Sequence, residues 1–160
     1  MKNIIRTASF SRCKLYRYQL TRRWDEGQGS CVFIGLNPST ANAKKDDPTI
    51  RRCMGFAYEW GYQSMTMVNL FAYRTPHPNL LKKSTEPVGP VNRRALKRAL
   101  DSANCIVAAW GVHGDFAQQA HRLRPLFSNY PLYCLDLTKQ GQPAHPLYQR
   151  RDSTLQTFEI

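Results

Sequence analysis

Four short apolar runs recur along the chain, and stretches with helical spacing of apolar residues separate them. The strand-like runs are 31–34, 65–71, 105–110 and 132–137. The helix-like stretches lie at 47–61, 90–103 and 116–123. Strands that alternate with helices join through right-handed crossovers, which places helices on both faces of a mainly parallel sheet. We therefore predict an α/β fold with three layers, α/β/α, around a central, mainly parallel sheet of four strands.

The segment before the first run has a different character. Apolar and polar residues alternate at 15–20, and a turn signal follows at 25–30. This pattern predicts that residues 1–30 form a basic edge hairpin or arm. A chain of 160 residues is long enough to bury a core of its own, so we expect residues 1–160 to form a single domain.

The charge balance points to a polyanionic partner. The chain carries 23 Lys and Arg against 11 Asp and Glu, which gives a net charge of +12. The basic residues cluster at 2–23, 44–52, 93–98 and 150–151. Dispersed clusters favour nucleic acid over a membrane surface, with DNA as the expected partner and RNA as the alternative. Without an apolar run of membrane-spanning length or a signal-peptide pattern, we expect a cytoplasmic monomer with no membrane partner.

The cysteines and histidines give no metal-binding pattern. Five cysteines are scattered along the chain without a Cys-x-x-Cys pair, so we expect reduced thiols. His77, His113 and His121 share no spacing typical of metal ligands. We predict neither a metal site nor a cofactor.

Polar or glycine-containing loops accompany the strand-like runs. They are Gly35-Leu36-Asn37-Pro38, Val68-Asn69-Leu70-Phe71, Ala109-Trp110-Gly111 and His145-Pro146-Leu147. Ligands of open α/β sheets bind at the carboxyl ends of the strands. The sequence therefore predicts a binding site formed by these loops.

The order of these four loops resembles the uracil-DNA glycosylase superfamily, over residues 31–151. The resemblance implies a DNA-base glycosylase that flips uracil, or a related modified or mismatched pyrimidine, out of DNA and hydrolyses its N-glycosidic bond without a metal. Two alternatives stay open: a noncatalytic nucleic-acid-binding module of the same fold, and an enzyme that processes nucleotides or modified bases. The stretches 35–52, 87–90 and 141–143 also resemble a bacterial and phage family of unknown function, which implies no activity.

The resemblance assigns catalytic roles to a few of these residues. His145 would donate a hydrogen bond to the pyrimidine carbonyl as negative charge develops on the base. Asn37 cannot act as a general base, although its carbonyl oxygen can orient a water molecule. Asp46 and Asp47 are the nearest carboxylates. Asp47 followed by Pro48 is also a typical helix start, and this alternative stays open.

The resemblance implies base recognition by Asn69, whose amide matches the adjacent N–H and carbonyl of the pairing edge of uracil. A structural role in bracing its loop stays open as the alternative. Phe56 or Phe71 would stack on the base, unless these rings belong to the core. Leu147, which stands where the superfamily usually has Ser, or Tyr148 would lie near the gap left by the flipped nucleotide. The full predicted set is Gly35, Leu36, Pro38, Ser39, Phe56, Asn69, Phe71, Gly111, Leu147 and Tyr148.

Phosphate contacts are expected where a helix begins close to basic residues. Thr49, Arg51 and Arg52 follow a predicted helix start, which is a favourable position for an anion. Such a site would equally suit a nucleotide or RNA. The full predicted set is Thr49, Arg51, Arg52, Arg74, Arg150 and Arg151.

Overall fold

One mixed sheet of seven strands runs through the computed structural model, which describes residues 1–160. The strands are β1 Ile5–Phe10, β2 Arg17–Arg23, β3 Ser30–Gly35, β4 Ser64–Asn69, β5 Cys105–Ala108, β6 Leu132–Cys134 and β7 Gln156–Phe158. Their spatial order is β1-β2-β4-β3-β5-β6-β7. The four central strands β4, β3, β5 and β6 are parallel to one another. The α/β class is thus confirmed, but the sheet is wider than the four strands predicted, because antiparallel strands extend it on both sides: β1 and β2 on one side and β7, which the sequence did not predict, on the other.

Helices cover both faces of the sheet. They are α1 Pro48–Glu59, α2 Pro78–Lys83, α3 Asn92–Asp101, α4 Gln119–Arg122 and α5 Arg124–Phe127. Cys31 and Phe33 of β3 pack in the core that contains α1, whereas Val32 and Ile34 pack in the core that contains α2 to α5. This division follows from the two-residue period of a strand, which sends alternate side chains to opposite faces. None of the helices has the length and apolar character needed to span a membrane.

Helix α1 begins and ends where the sequence indicates. Oδ1 of Asp47 accepts a hydrogen bond from the backbone N–H of Ile50 at 2.8 Å, and Pro48 occupies the first helical turn. Gly61, with a φ of +85°, lies just beyond the helix in the left-handed region that favours glycine. The predicted N-cap role of Asp47 is confirmed.

Other predicted boundaries need correction. The helix expected over 116–123 is broken, because Ala117 and Gln118 both have a φ of +51° and interrupt the helical hydrogen bonds. The expected N-terminal hairpin is present as β1 and β2, with β1 at the edge and β2 paired to β4.

The connections define a crevice at the carboxyl ends of β3 and β5. From β3 the chain passes through α1 on one face to β4, whereas from β4 it passes through α3 on the other face to β5, on the far side of β3. From β5 the chain passes through α4 and α5, on the same face as α3, to β6, so the connections that leave the neighbouring strands β3 and β5 lie on opposite faces of the sheet. Such a switch point is where open α/β sheets bind ligands.

Candidate functional site

The loops that follow the four parallel strands meet around one cavity of about 610 Å³. This cavity lies at the switch point between β3 and β5 and extends over the ends of β4 and β6. The predicted site residues that line it are Gly35, Leu36, Asn37, Ser39, Asp47, Thr49, Asn69, Gly111, His145, Leu147 and Tyr148.

Asn37 has its amide nitrogen fully occupied by the surrounding loops. Nδ2 donates to the backbone carbonyls of Pro38 at 3.1 Å, Tyr73 at 3.2 Å and Thr75 at 2.9 Å. These three acceptors determine which end of the amide is the nitrogen. Asn37 therefore braces the loop after β4, while its Oδ1 has no hydrogen-bond partner in the chain.

Asn69 is buried against the end of β3 and is only 3% exposed. Its Nδ2 is buried without a hydrogen-bond partner. A Cβ at position 35 would lie 2.7 Å from Oδ1 of Asn69, so only a glycine at Gly35 accommodates this side chain. Because an unpartnered buried amide is unfavourable, its position in a cavity wall makes Asn69 a candidate ligand-binding residue.

His145 is oriented by its own loop. Its Nδ1 accepts a hydrogen bond from the backbone N–H of Leu147 at 3.2 Å, so the neutral ring carries its proton on Nε2. Burial lowers the pKa of His145, and the charge of Asp47 opposes this shift only in part. The ring is therefore a neutral hydrogen-bond donor at neutral pH.

The loop of His145 rests on two supports. Gly111, with a φ of +74°, donates its N–H to the carbonyl of Pro143 at 2.8 Å, and a Cβ here would lie 3.4 Å from Cβ of His145. From the opposite side, Arg52 donates to the carbonyls of Pro146 and Gln149. Arg52 thus positions the loop, in place of the free phosphate contact that the sequence predicts.

The two neighbouring aspartates have different environments. Asp46 pairs with Arg22 at 2.6 Å and Arg6 at 3.2 Å, outside the cavity wall. Burial raises the pKa of Asp46, but the hydrogen bonds from these arginines outweigh burial and lower it overall. Asp47 lines the cavity, and while its Oδ1 caps α1, its Oδ2 has no partner in the chain. Of these two neighbouring aspartates, Asp47 is thus the one whose carboxylate faces the cavity, which Asp136 also lines.

Arg17 is a cavity residue that the sequence analysis missed. It is 2% exposed, and its Nη1 donates to the carbonyl of Ala41 at 2.9 Å. Burial lowers the pKa of Arg17 to about 10. Arg17 lies inside the basic stretch 2–23, and its place in that stretch does not distinguish it from arginines exposed on the surface. The one sequence feature that could have distinguished Arg17 is its position between Tyr16 and Tyr18 in a strand-like segment.

Three predicted binding residues lie outside the cavity wall. Phe71 is fully buried with its ring centroid 5.3 Å from that of Phe116, and Phe56 is stacked on Trp60 at 5.3 Å. Both rings are core side chains, on opposite faces of the sheet, so neither is available to stack on a base here. Pro38 is buried as well.

A second groove of about 390 Å³ adjoins the cavity and shares Leu147 with it. Arg51, Arg52 and Arg151 line this groove, and no acidic residue does. Arg151 lies 3.8 Å from Glu59 across an exposed ion pair, which is a weak interaction in solvent.

The remaining predicted phosphate ligands are engaged elsewhere. Arg74 donates to the carbonyl of Lys14 at 3.3 Å and lies 4.6 Å from the ring centroid of Phe10. Arg150 forms a two-point ion pair with Asp152 at 3.0 Å. Neither lines the cavity or the adjoining groove.

The mouth of the cavity is apolar and exposed. Tyr148 is 84% exposed, and its ring centroid lies 5.7 Å from that of His145. The other large exposed apolar residues of the cavity wall are Val112, Leu137 and Leu147. Exposed apolar side chains around an opening are typical of a binding surface.

The fold and the cavity together define an α/β protein with a candidate ligand site, lined in part by polar side chains, at the switch point of its parallel strands. The chain belongs to the family described as a protein of unknown function (DUF1643), whose model matches residues 17–147. This match confirms the resemblance to a family of unknown function. Searches of curated proteins and of solved structures gave no match.

Proposed function

We propose that this chain is a DNA-base glycosylase of the uracil-excising type. It flips uracil or a related pyrimidine into the cavity and hydrolyses the N-glycosidic bond. One observation carries the proposal: the neutral donor His145 and the unpartnered buried amide of Asn69 line the same cavity of about 610 Å³.

His145 stabilises the departing base. Cleavage of the glycosidic bond leaves negative charge on the pyrimidine oxygens and positive charge on the sugar. The Nε2–H of His145 donates to the pyrimidine carbonyl, where the negative charge grows. Because burial lowers the pKa of His145, the ring stays neutral and acts as a hydrogen-bond donor in this partly buried site.

Asn69 recognises the pairing edge of the base. Its Nδ2 donates to a ring carbonyl, and its Oδ1 accepts from the adjacent ring N–H. The unpartnered state of Nδ2 supports this role, because the bound base satisfies a donor that the chain leaves without a partner.

Asp47 and Asn37 act on the attacking water. The unpartnered Oδ2 of Asp47 accepts a proton from the water, and Oδ1 of Asn37 orients it. Asp47 thus supplies the carboxylate that Asn37 lacks.

The surroundings of the cavity suit a DNA strand. The exposed Leu147 and Tyr148 lie at the mouth, where they fill the gap left by the flipped nucleotide. The adjoining groove offers Arg51 and Arg151 to the phosphates.

Excision from uracil-containing single-stranded and double-stranded oligonucleotides, scored as alkali-labile breaks, tests the proposal. Wild-type protein should produce breaks, and His145→Ala and Asn69→Ala should each reduce the rate by about 10²-fold or more. His121→Ala, which removes an exposed histidine away from the cavity, should match the wild type. A wild-type rate no higher than that of His145→Ala would rule out the activity.

A noncatalytic nucleic-acid-binding module is the second candidate. The complete engagement of the Asn37 amide nitrogen by three backbone carbonyls favours it, because this pattern is also that of a structural turn. Oligonucleotide binding with a steep salt dependence and no excision would support the module. Tight binding of free nucleotides alone would instead favour the nucleotide-processing alternative.

A further inference from the structure

Arg17 has an environment unusual for an arginine. Its side chain is 98% buried, lines the cavity and has no carboxylate oxygen within the 4.0 Å of an ion pair. Its Nε is buried without a hydrogen-bond partner. Buried charges in proteins are normally paired, so this cation requires a counter-charge that the chain does not place against it.

The guanidinium group of Arg17 makes a hydrogen bond on one side only, and the N–H groups on its other side have no partner in the chain. Nη1 donates to the carbonyl of Ala41, which holds the group in place. Nε and Nη2, on the opposite edge, make no hydrogen bond in the chain. This pair of N–H groups matches the two oxygens of a carboxylate or phosphate.

The charges around Arg17 leave a positive excess at this end of the cavity. Asp47 is the one acidic neighbour that acts on Arg17, whereas Arg22 and Arg74 add positive charge. Arg22 is paired with Asp46, but Arg74 has no acidic partner. Asp47 therefore balances part of this positive charge and not all of it.

Asn69 and Arg17 belong to adjacent strands. Arg17 begins β2, which pairs with β4, and Asn69 ends β4. The backbone N–H of Arg17 donates to the carbonyl of Ala72, three residues after Asn69. Both side chains then face one cavity, and each carries a buried donor nitrogen with no partner.

We propose that the ligand of this cavity is a pyrimidine that carries an anionic group, a carboxylate or a phosphate, with Arg17 binding the anion while Asn69 binds the ring. The inference rests on the proposed function for the pyrimidine ring and goes beyond it for the charge. The anion has two sources: a carboxyl substituent on the base, or the phosphate of a nucleotide.

Calorimetric titration of the full chain with uracil, 5-carboxyuracil and uridine 5′-monophosphate tests this inference. At least one anionic probe should bind about tenfold or more tightly than uracil, since a hydrogen bond to a charged group is worth this much. Preference for 5-carboxyuracil identifies a carboxylated base, and preference for the monophosphate identifies a nucleotide. Equal affinity of the wild type for all three probes would overturn the inference.

Two variants locate the preference at Arg17. Arg17→Met keeps an unbranched side chain that is apolar and shorter, and it removes the charge, so the ratio of anionic-probe affinity to uracil affinity should fall to about one. Arg17→Lys keeps the charge and loses the fork, so the preference should fall in part. A preference that survives in both variants would overturn the inference.

The outcomes separate this inference from the proposed function. Excision of uracil from DNA together with equal probe affinities would contradict the anionic group alone. Absence of binding by every probe would contradict the inference, and the excision assay would still decide the glycosylase activity.

Discussion

At the residue scale, two polar side chains of the cavity wall each have one atom in a structural hydrogen bond and a second polar atom without a partner in the chain. Asn37 braces a loop through Nδ2 and leaves Oδ1 unpartnered, and Asp47 caps α1 through Oδ1 and leaves Oδ2 unpartnered. An alanine at either position would therefore disturb both the structure and the chemistry. A substitution that keeps the structural hydrogen bond separates the two roles.

Asp47→Asn is such a substitution. Asparagine caps helices as well as aspartate does, so the unfolding midpoint in urea should stay close to that of the wild type. If Asp47 accepts the proton of the attacking water, the excision rate should fall by about 10²-fold or more. Asp47→Ala should in addition lose about 0.5–2 kcal/mol of stability. Unchanged excision by Asp47→Asn would limit Asp47 to its capping role.

His145 should make stability depend on pH. Its pKa is lower in the folded chain than the ordinary 6.5, so the unfolded chain binds more protons between the two values. Stability should therefore rise with pH through this window and gain nothing more from His145 above it. The melting temperature of the wild type should fall more than that of His145→Gln as pH is lowered from about 7 to about 5. Parallel curves for the two proteins would contradict this assignment.

At the element scale, the site depends on how closely the ends of β3 and β4 approach each other. The side chain of Asn69 occupies the space that a Cβ at Gly35 would require, and the backbone carbonyl of Asn69 accepts from Nδ2 of Asn92 at 2.9 Å. Helix α3, which begins with Asn92, therefore supports β4 at Asn69, the residue that we propose recognises the base.

Gly35→Ala should displace Asn69. The added Cβ would lie 2.7 Å from Oδ1 of Asn69 and 3.3 Å from Sδ of Met67. We expect a stability loss of about 1–3 kcal/mol in urea unfolding, together with weaker uracil binding.

Gly55→Ala is the matched control, because a Cβ at this position in α1 has no atom within 4 Å. It should raise stability by about 0.5–1 kcal/mol and leave binding unchanged. Similar effects of the two substitutions would refute the steric argument at Gly35.

At the scale of the whole molecule, the net charge of +12 is distributed over both helical layers. The groove beside the cavity carries arginines of α1 and of the segment after His145. Helix α3, on the other face, exposes a separate basic surface that includes Arg98. Because the groove adjoins the cavity, we expect the groove to contact the phosphates of a bound DNA strand. We expect no such contact from the α3 surface.

The salt dependence of oligonucleotide binding tests this difference. Arg51→Gln and Arg151→Gln should each lower the slope of log affinity against log salt by about one, because each removes one phosphate contact. Arg98→Gln should leave the slope unchanged. An equal reduction in all three variants would indicate general attraction by the net charge.

Much of the architecture and part of the site were predictable because they depend on local patterns. The apolar runs determine the central strands, and Asp47 with Pro48 determines the start of α1. The glycine, asparagine and histidine loops at strand ends indicated which segments meet at the cavity. The edge strand β7 has three residues and little apolar pattern, so the sequence did not reveal the full width of the sheet.

The sequence by itself determined the α/β class, the parallel centre and the loops that form the cavity, because periodicity and turn residues act within a few positions of the chain. Only the tertiary structure decided which side chains face that cavity. Phe71 became a core residue and Arg17 a cavity residue because packing between distant segments sets their burial. The unpartnered nitrogens of Asn69 and Arg17 likewise arise from contacts between elements, which no local pattern records.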